Sequence, residues 1–120
     1  DGELLFGLKI ENPRADANAE TLVRVPGISF VEWGPGDHGF FLLGRPGTYP
    51  PGQGGENSPV MQQVRARVLN AAKAANVKFL NACSENNVEQ QLRDGVMICT
   101  GGDSPAADKG RAFTKRTDPW

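Results

Sequence analysis

The chain has no apolar run near the roughly 18 residues that a membrane-spanning helix needs, and no charged-then-apolar leader opens it. An excess of one charge is missing too: thirteen Lys and Arg face fourteen Asp and Glu over 120 residues. Near-neutrality argues against a surface dedicated to nucleic acid or to a membrane. Cysteine is scarce. Cys83 and Cys99 lack CxxC spacing and are too few for a disulfide framework or a thiolate metal centre. They read as buried thiols of a protein in the reducing cytoplasm. The length suits one domain or part of a larger one.

Glycine and proline, by contrast, are abundant, with fifteen and nine residues. Many cluster between Arg45 and Asn57, a stretch of loop chemistry that reads equally as a functional loop, a subunit contact or a surface insertion. Around it the pattern alternates. Leu4 to Glu11 predicts a strand, Ala15 to Arg24 a short helix stopped by Pro26-Gly27, and Ile28 to Trp33 a second strand. Gly39 to Gly44 reads as an apolar turn or short helix. Ser58-Pro59 opens a long helix in which Val60, Val64, Val68, Leu69 and Ala72 recur at helical spacing. Val77 to Ala82 is a third strand, Ser84 to Arg93 a helix, Val96 to Thr100 a fourth strand, and a last helix starts near Ser104-Pro105. Short apolar strands alternating with helices predict an α/β fold with a parallel sheet, which is also half of an eight-stranded barrel.

The first two strands each lead into a carboxylate, Glu11 and Asp37, 26 positions apart. In parallel α/β folds, ligands bind where the strands' carboxyl ends emerge. Two carboxylates meeting there repel unless a cation or a proton lies between them. A hard divalent metal with oxygen ligands is the chemistry this suggests. Gly34 and Gly36 let the backbone approach a ligand, and successive amides in such a turn make an anion-binding concavity.

Leu8-Lys9-Ile10-Glu11 together with Gly34-Pro35-Gly36-Asp37 resembles the metal-dependent class II pyruvate aldolases of the HpcH/HpaI family, and the similarity spans almost the whole chain. The resemblance implies a (β/α)8 TIM barrel about twice this length, of which residues 1–120 are the carboxyl-terminal half, strands five to eight with their helices. It implies a carbon–carbon lyase that forms or cleaves 4-hydroxy-2-oxo acids, giving pyruvate and an aldehyde. Glu11 and Asp37 match the carboxylates that hold Mg²⁺, Mn²⁺ or Co²⁺. The amides of Gly36 and Asp37 match those that bind the carboxylate of the 2-oxo acid. A homo-oligomer, or a complementary amino-terminal half, is the implied protein partner. Citrate-lyase-like and malyl-CoA-lyase-like enzymes, which also pair Glu and Asp on a barrel, are the alternative, as is a half-barrel that is not catalytic alone.

Several residues depart from the family pattern. Its catalytic arginine and histidine come from a first half not represented here, and the abrupt opening at Asp1 suggests that residue 1 is not a natural start. His38, the only histidine, reads as structural. Lys9 stands where relatives often carry an uncharged residue; it either pairs with Glu11, contacts substrate or acts as a Schiff-base lysine. Glu32 is expected on the helix side of its strand, and Trp33 in barrel packing. Phe40 to Leu43 reads as a subunit interface. Arg111, Lys115 and Arg116 form an ordinary solvated helix face.

Overall fold

The structure, a computed structural model, describes residues 4–44 and 55–116. The loop stretch from Arg45 to Gly54 therefore lies outside the described residues. The chain is α/β and forms two compact units, Asp1–Lys78 and Phe79–Trp120.

In the first unit β1 (Phe6–Ile10) pairs in parallel with β2 (Ile28–Trp33), as a strand–helix–strand crossover requires. The register sets Leu8 beside Val31, Lys9 beside Glu32 and Ile10 beside Trp33. Paired residues of parallel strands share a face. Leu8, Ile10, Val31 and Trp33 thus form one face, and Lys9 and Glu32 lie on the other. Ile10, Val31 and Trp33 are buried, and α4 (Pro59–Ala74) packs on β2 through its apolar stripe of Met61, Val64, Val68, Leu69 and Ala72. Val60, expected in that stripe, is exposed, and Met61 takes the inward place.

The crossover is two short helices rather than one. In α1 (Pro13–Ala17), Asn12 Oδ1 accepts from Ala15 N at 2.9 Å and Pro13 opens the first turn. Asn18 breaks the path, and α2 (Ala19–Leu22) carries it on to buried Val23. The turn after β2 is also helical: α3 (Pro35–Leu43) starts at Pro35, so Gly36 and Asp37 occupy a first helical turn and not a loop. At the end of α4, Asn76 adopts φ 55°, with Asn76 N bonded to Lys73 O and Val77 N to Ala72 O. Such an ending satisfies two otherwise orphaned carbonyls.

The second unit pairs β3 (Lys78–Ala82) in parallel with β4 (Ile98–Thr100), extended by Met97 N to Phe79 O and Cys83 N to Thr100 O, both 2.9 Å. Between the strands runs α5 (Val88–Asp94). Its N-cap is Asn87 and not the expected Ser84, whose N–H instead donates to Asn87 Oδ1. It ends on Gly95 at φ 98°, a left-handed conformation that glycine adopts freely. The last helix, α6 (Ser104–Thr114), is capped by Asp103, which accepts from Ala106 N at 3.1 Å. It packs on α5 at Gly110, where a β-carbon would lie 3.3 Å from Val88 Cγ2. Arg111, Lys115 and Arg116 are exposed, as expected.

One cysteine expectation is corrected. Cys83 and Cys99 are joined in a disulfide, with Cα atoms 5.3 Å apart. The parallel register places Cys99 one residue short of Thr100, whose carbonyl bonds Cys83 N, so both sulfurs reach each other across the strand ends. The reduced-thiol argument for a cytoplasmic location falls with it. Among the described residues, no helix is long and apolar enough to cross a membrane.

Candidate active site

The polar face of the first unit is built where β1 ends. Gly34 N donates to Ile10 O at 3.0 Å, holding the start of the turn after β2 against the last residue of β1. Glu11 then lies directly over Gly34. A β-carbon at position 34 would sit 2.8 Å from Glu11 Cβ, 2.7 Å from its Oε2 and 3.1 Å from Lys9 Cε. Only glycine leaves that space, so the glycine is required by the packing of Glu11 itself.

Lys9 Nζ lies 3.0 Å from Glu11 Oε2, so of the three roles open to Lys9 the structure realises the ion pair. Glu11 Oε2 is buried and accepts no well-aligned hydrogen bond, which leaves the ammonium as its close counter-charge. Contact with Glu11, then the charges of Glu11, Glu32 and Asp37, hold Lys9 above its ordinary value of 10.5. Glu32 is thus a correction. It stands beside Lys9 on the polar face, and its neighbour Trp33 turns into the helix-covered core. No local signal places it, because both faces of this strand carry apolar residues, Ile28 and Phe30 on the side of Glu32 and Val31 and Trp33 on the other.

Asp37 is exposed on the first turn of α3. The first hydrogen bond of that helix runs from His38 N to Gly34 O. The amides of Gly36 and Asp37 precede it and point out of the helix's positive end. A β-carbon on Gly36 would meet nothing within 4 Å, so space opens above this turn. Among the described residues, no group of three or more His, Cys, Asp or Glu is gathered as a metal site.

His38 is fully buried, in keeping with a structural role. Burial pushes its imidazole below the usual 6.5; Asp16 and the Ile10 carbonyl oppose that shift, and Arg67 adds to it. Asp16 is buried and accepts from Arg67 Nη1 of α4. Asp16 Oδ1 and both ring nitrogens of His38 find no well-aligned partner among the described residues. Sequence reading missed this cluster, because 51 residues separate Asp16 from Arg67.

The fold is similar to that of solved HpcH/HpaI aldolase and citrate lyase proteins. A HpcH/HpaI aldolase/citrate lyase family protein from Burkholderia cenocepacia J2315 superposes with a TM-score of 0.69 at 21% identity, over 94% of this chain and 41% of that one. Macrophomate synthase gives 0.66 at 18% identity, over 93% and 36%. The citrate lyase beta subunit from M. tuberculosis, complexed with oxaloacetate and magnesium, gives 0.69 at 16% identity, over 93% and 53%. The chain therefore spans about half or less of the structures it matches. No family model matches the sequence, and no curated protein matches it.

Proposed function

We propose that this chain is the carboxyl-terminal half of a (β/α)8 barrel belonging to a divalent-metal-dependent carbon–carbon lyase, acting on 4-hydroxy-2-oxo acids to give pyruvate and an aldehyde. The observation that carries the reading is the seating of Glu11 on Gly34, which sets a buried carboxylate oxygen against the turn that leads to Asp37. Glu11 and Asp37 would hold Mg²⁺, Mn²⁺ or Co²⁺. Their chemistry fits such a cation, since two carboxylates and retained waters suffice for a hard divalent ion. Lys9 pairs with Glu11 now, but it is exposed and on a flexible stem, and it can swing out.

Bound there, the metal would supply positive charge to the 2-oxo oxygen of the substrate. The chain's own part is to orient that substrate. The Gly36 and Asp37 amides, at the positive end of α3, would take its carboxylate. The family's arginine and histidine would come from a complementary amino-terminal half or from another copy in a homo-oligomer. Likeness to the citrate lyase beta subunit favours a second reading, a lyase acting on an acyl-CoA or citrate-type substrate at the same carboxylates.

The test is pyruvate release from 4-hydroxy-2-oxo acids, with and without Mn²⁺, by the native chain, Glu11→Ala and Asp37→Ala; malyl-CoA is assayed in parallel. Metal-dependent pyruvate release lost in both variants supports the aldolase, and malyl-CoA cleavage alone supports the second reading. Mn²⁺ binding that needs both carboxylates, without turnover, identifies a half-site awaiting its other half. Failure to bind Mn²⁺ overturns the metal assignment.

A further inference from the structure

We propose that the Cys83–Cys99 disulfide is a reversible thiol–disulfide exchange site, attacked at Cys99 by a small anionic thiol that docks in the cavity beside it. The two half-cystines are unequal. Cys83 is buried, whereas Cys99 is exposed. Both line a cavity of about 300 Å³ within the second unit, walled by Val88 and Leu92 of α5 and by Ala106 and Ala107 of α6. Arg111 and Arg116 also line it, and both are exposed. Asp103 lines it too, so two guanidiniums face one carboxylate, a net cationic lining suited to a carboxylate-bearing thiol. Asp108 holds Arg111 in an ion pair.

Exchange here leaves the strands joined. Cys83 N to Thr100 O, Met97 N to Phe79 O and the β3–β4 register are backbone ties that do not involve sulfur. The buried thiol also has somewhere to put its proton: Cys83 Sγ lies 3.8 Å from the Asn81 carbonyl. The step balances. The incoming thiolate bonds to Cys99 Sγ, the Cys83–Cys99 bond breaks, and Cys83 leaves as a thiolate that takes a proton from water. A second thiolate then attacks the sulfur of the first and bonds to it, and Cys99 leaves as a thiolate that takes a proton from water. Two thiols become one small disulfide, and the protein gains two thiols.

The experiment equilibrates the full chain with buffers of reduced and oxidised glutathione and maps adducts by peptide mass spectrometry. Cys83→Ala and Cys99→Ala are run alongside, with circular dichroism checking that each folds. The expected result is one glutathionyl group, on Cys99, accumulating in Cys83→Ala, and little on Cys83 in Cys99→Ala. Exchanging Arg116 for Glu should slow the reaction with glutathione several-fold while leaving the reaction with neutral 2-mercaptoethanol nearly unchanged. An adduct on Cys83 in the native chain, a disulfide that opens only in denaturant, or equal slowing of both thiols overturns the proposal. Should either variant fail to fold, the site of the adduct in the native chain decides alone.

Discussion

Lys9 and His38 are the two residues whose surroundings make the sharpest demands. Lys9 holds the place beside Glu11 Oε2 that a metal would want. Its removal is therefore expected to strengthen cation binding: Lys9→Met should lower the Mn²⁺ dissociation constant several-fold, measured by titration calorimetry. An unchanged constant would mean that the ammonium does not compete. His38 is a buried imidazole held below 6.5 mainly by desolvation. The unfolded chain then binds more protons than the folded one as the pH falls through that value. Stability contributed by the neutral ring is complete above 6.5 and is lost below it, toward the lower folded value. Chemical denaturation from neutral to mildly acidic pH should show this decline in the native chain, and His38→Gln should flatten part of it. A His38→Gln profile parallel to the native one would assign the acid sensitivity to other groups.

Among the elements, the helix ends and the strand pairs carry the fold. The N-caps Asn12 and Asp103 and the left-handed endings at Asn76 and Gly95 each satisfy backbone groups that a short helix would otherwise leave open. Pro13, Pro35, Pro59 and Pro105 open four of the six described helices; the starts at Pro59 and near Pro105 were read from sequence, whereas α1 was expected only from Ala15 and α3 only from Gly39. The β3–α5–β4 segment is closed by a disulfide spanning 16 residues. A loop of that size lowers the entropy of the unfolded chain by about 3 kcal/mol. Reduction, or Cys99→Ser, should lower the unfolding free energy by about that amount in urea while the far-ultraviolet circular dichroism of the folded state stays close to native. Loss of the folded signal on reduction would show that the backbone ties between β3 and β4 do not suffice.

At the scale of the whole molecule, apolar surface is the dominant unresolved demand. Leu4, Leu5 and Phe6 at the start of β1 are 88%, 77% and 64% exposed, and Phe41 on α3 is 62% exposed. Apolar side chains this exposed on a chain of 12.9 kDa favour association, in line with the oligomer or complementary half of the proposed function. Light scattering after size exclusion should give a mass above that of one chain, and Phe41→Ser with Leu5→Ser should move it toward the monomer. A native chain that elutes as a monomer would remove the oligomer from the proposed function.

The order of elements and the positions of Glu11, Gly34 and Asp37 were legible in sequence. Strands announce themselves by short apolar runs, helices by proline starts and helical spacing, and the motif by its residue types. The facing of Glu32 and Trp33 depended on which side α4 covers, which no local pattern states. The Asp16–Arg67 pair needed contacts across 51 residues. The cysteine pair was visible, but its bond was not: two cysteines 16 residues apart are joined only because the β3–β4 register brings their Cα atoms to 5.3 Å. Sequence determines what each segment prefers through short-range sterics and burial. Tertiary structure decides which distant groups share a face, because that depends on register and packing summed over the fold.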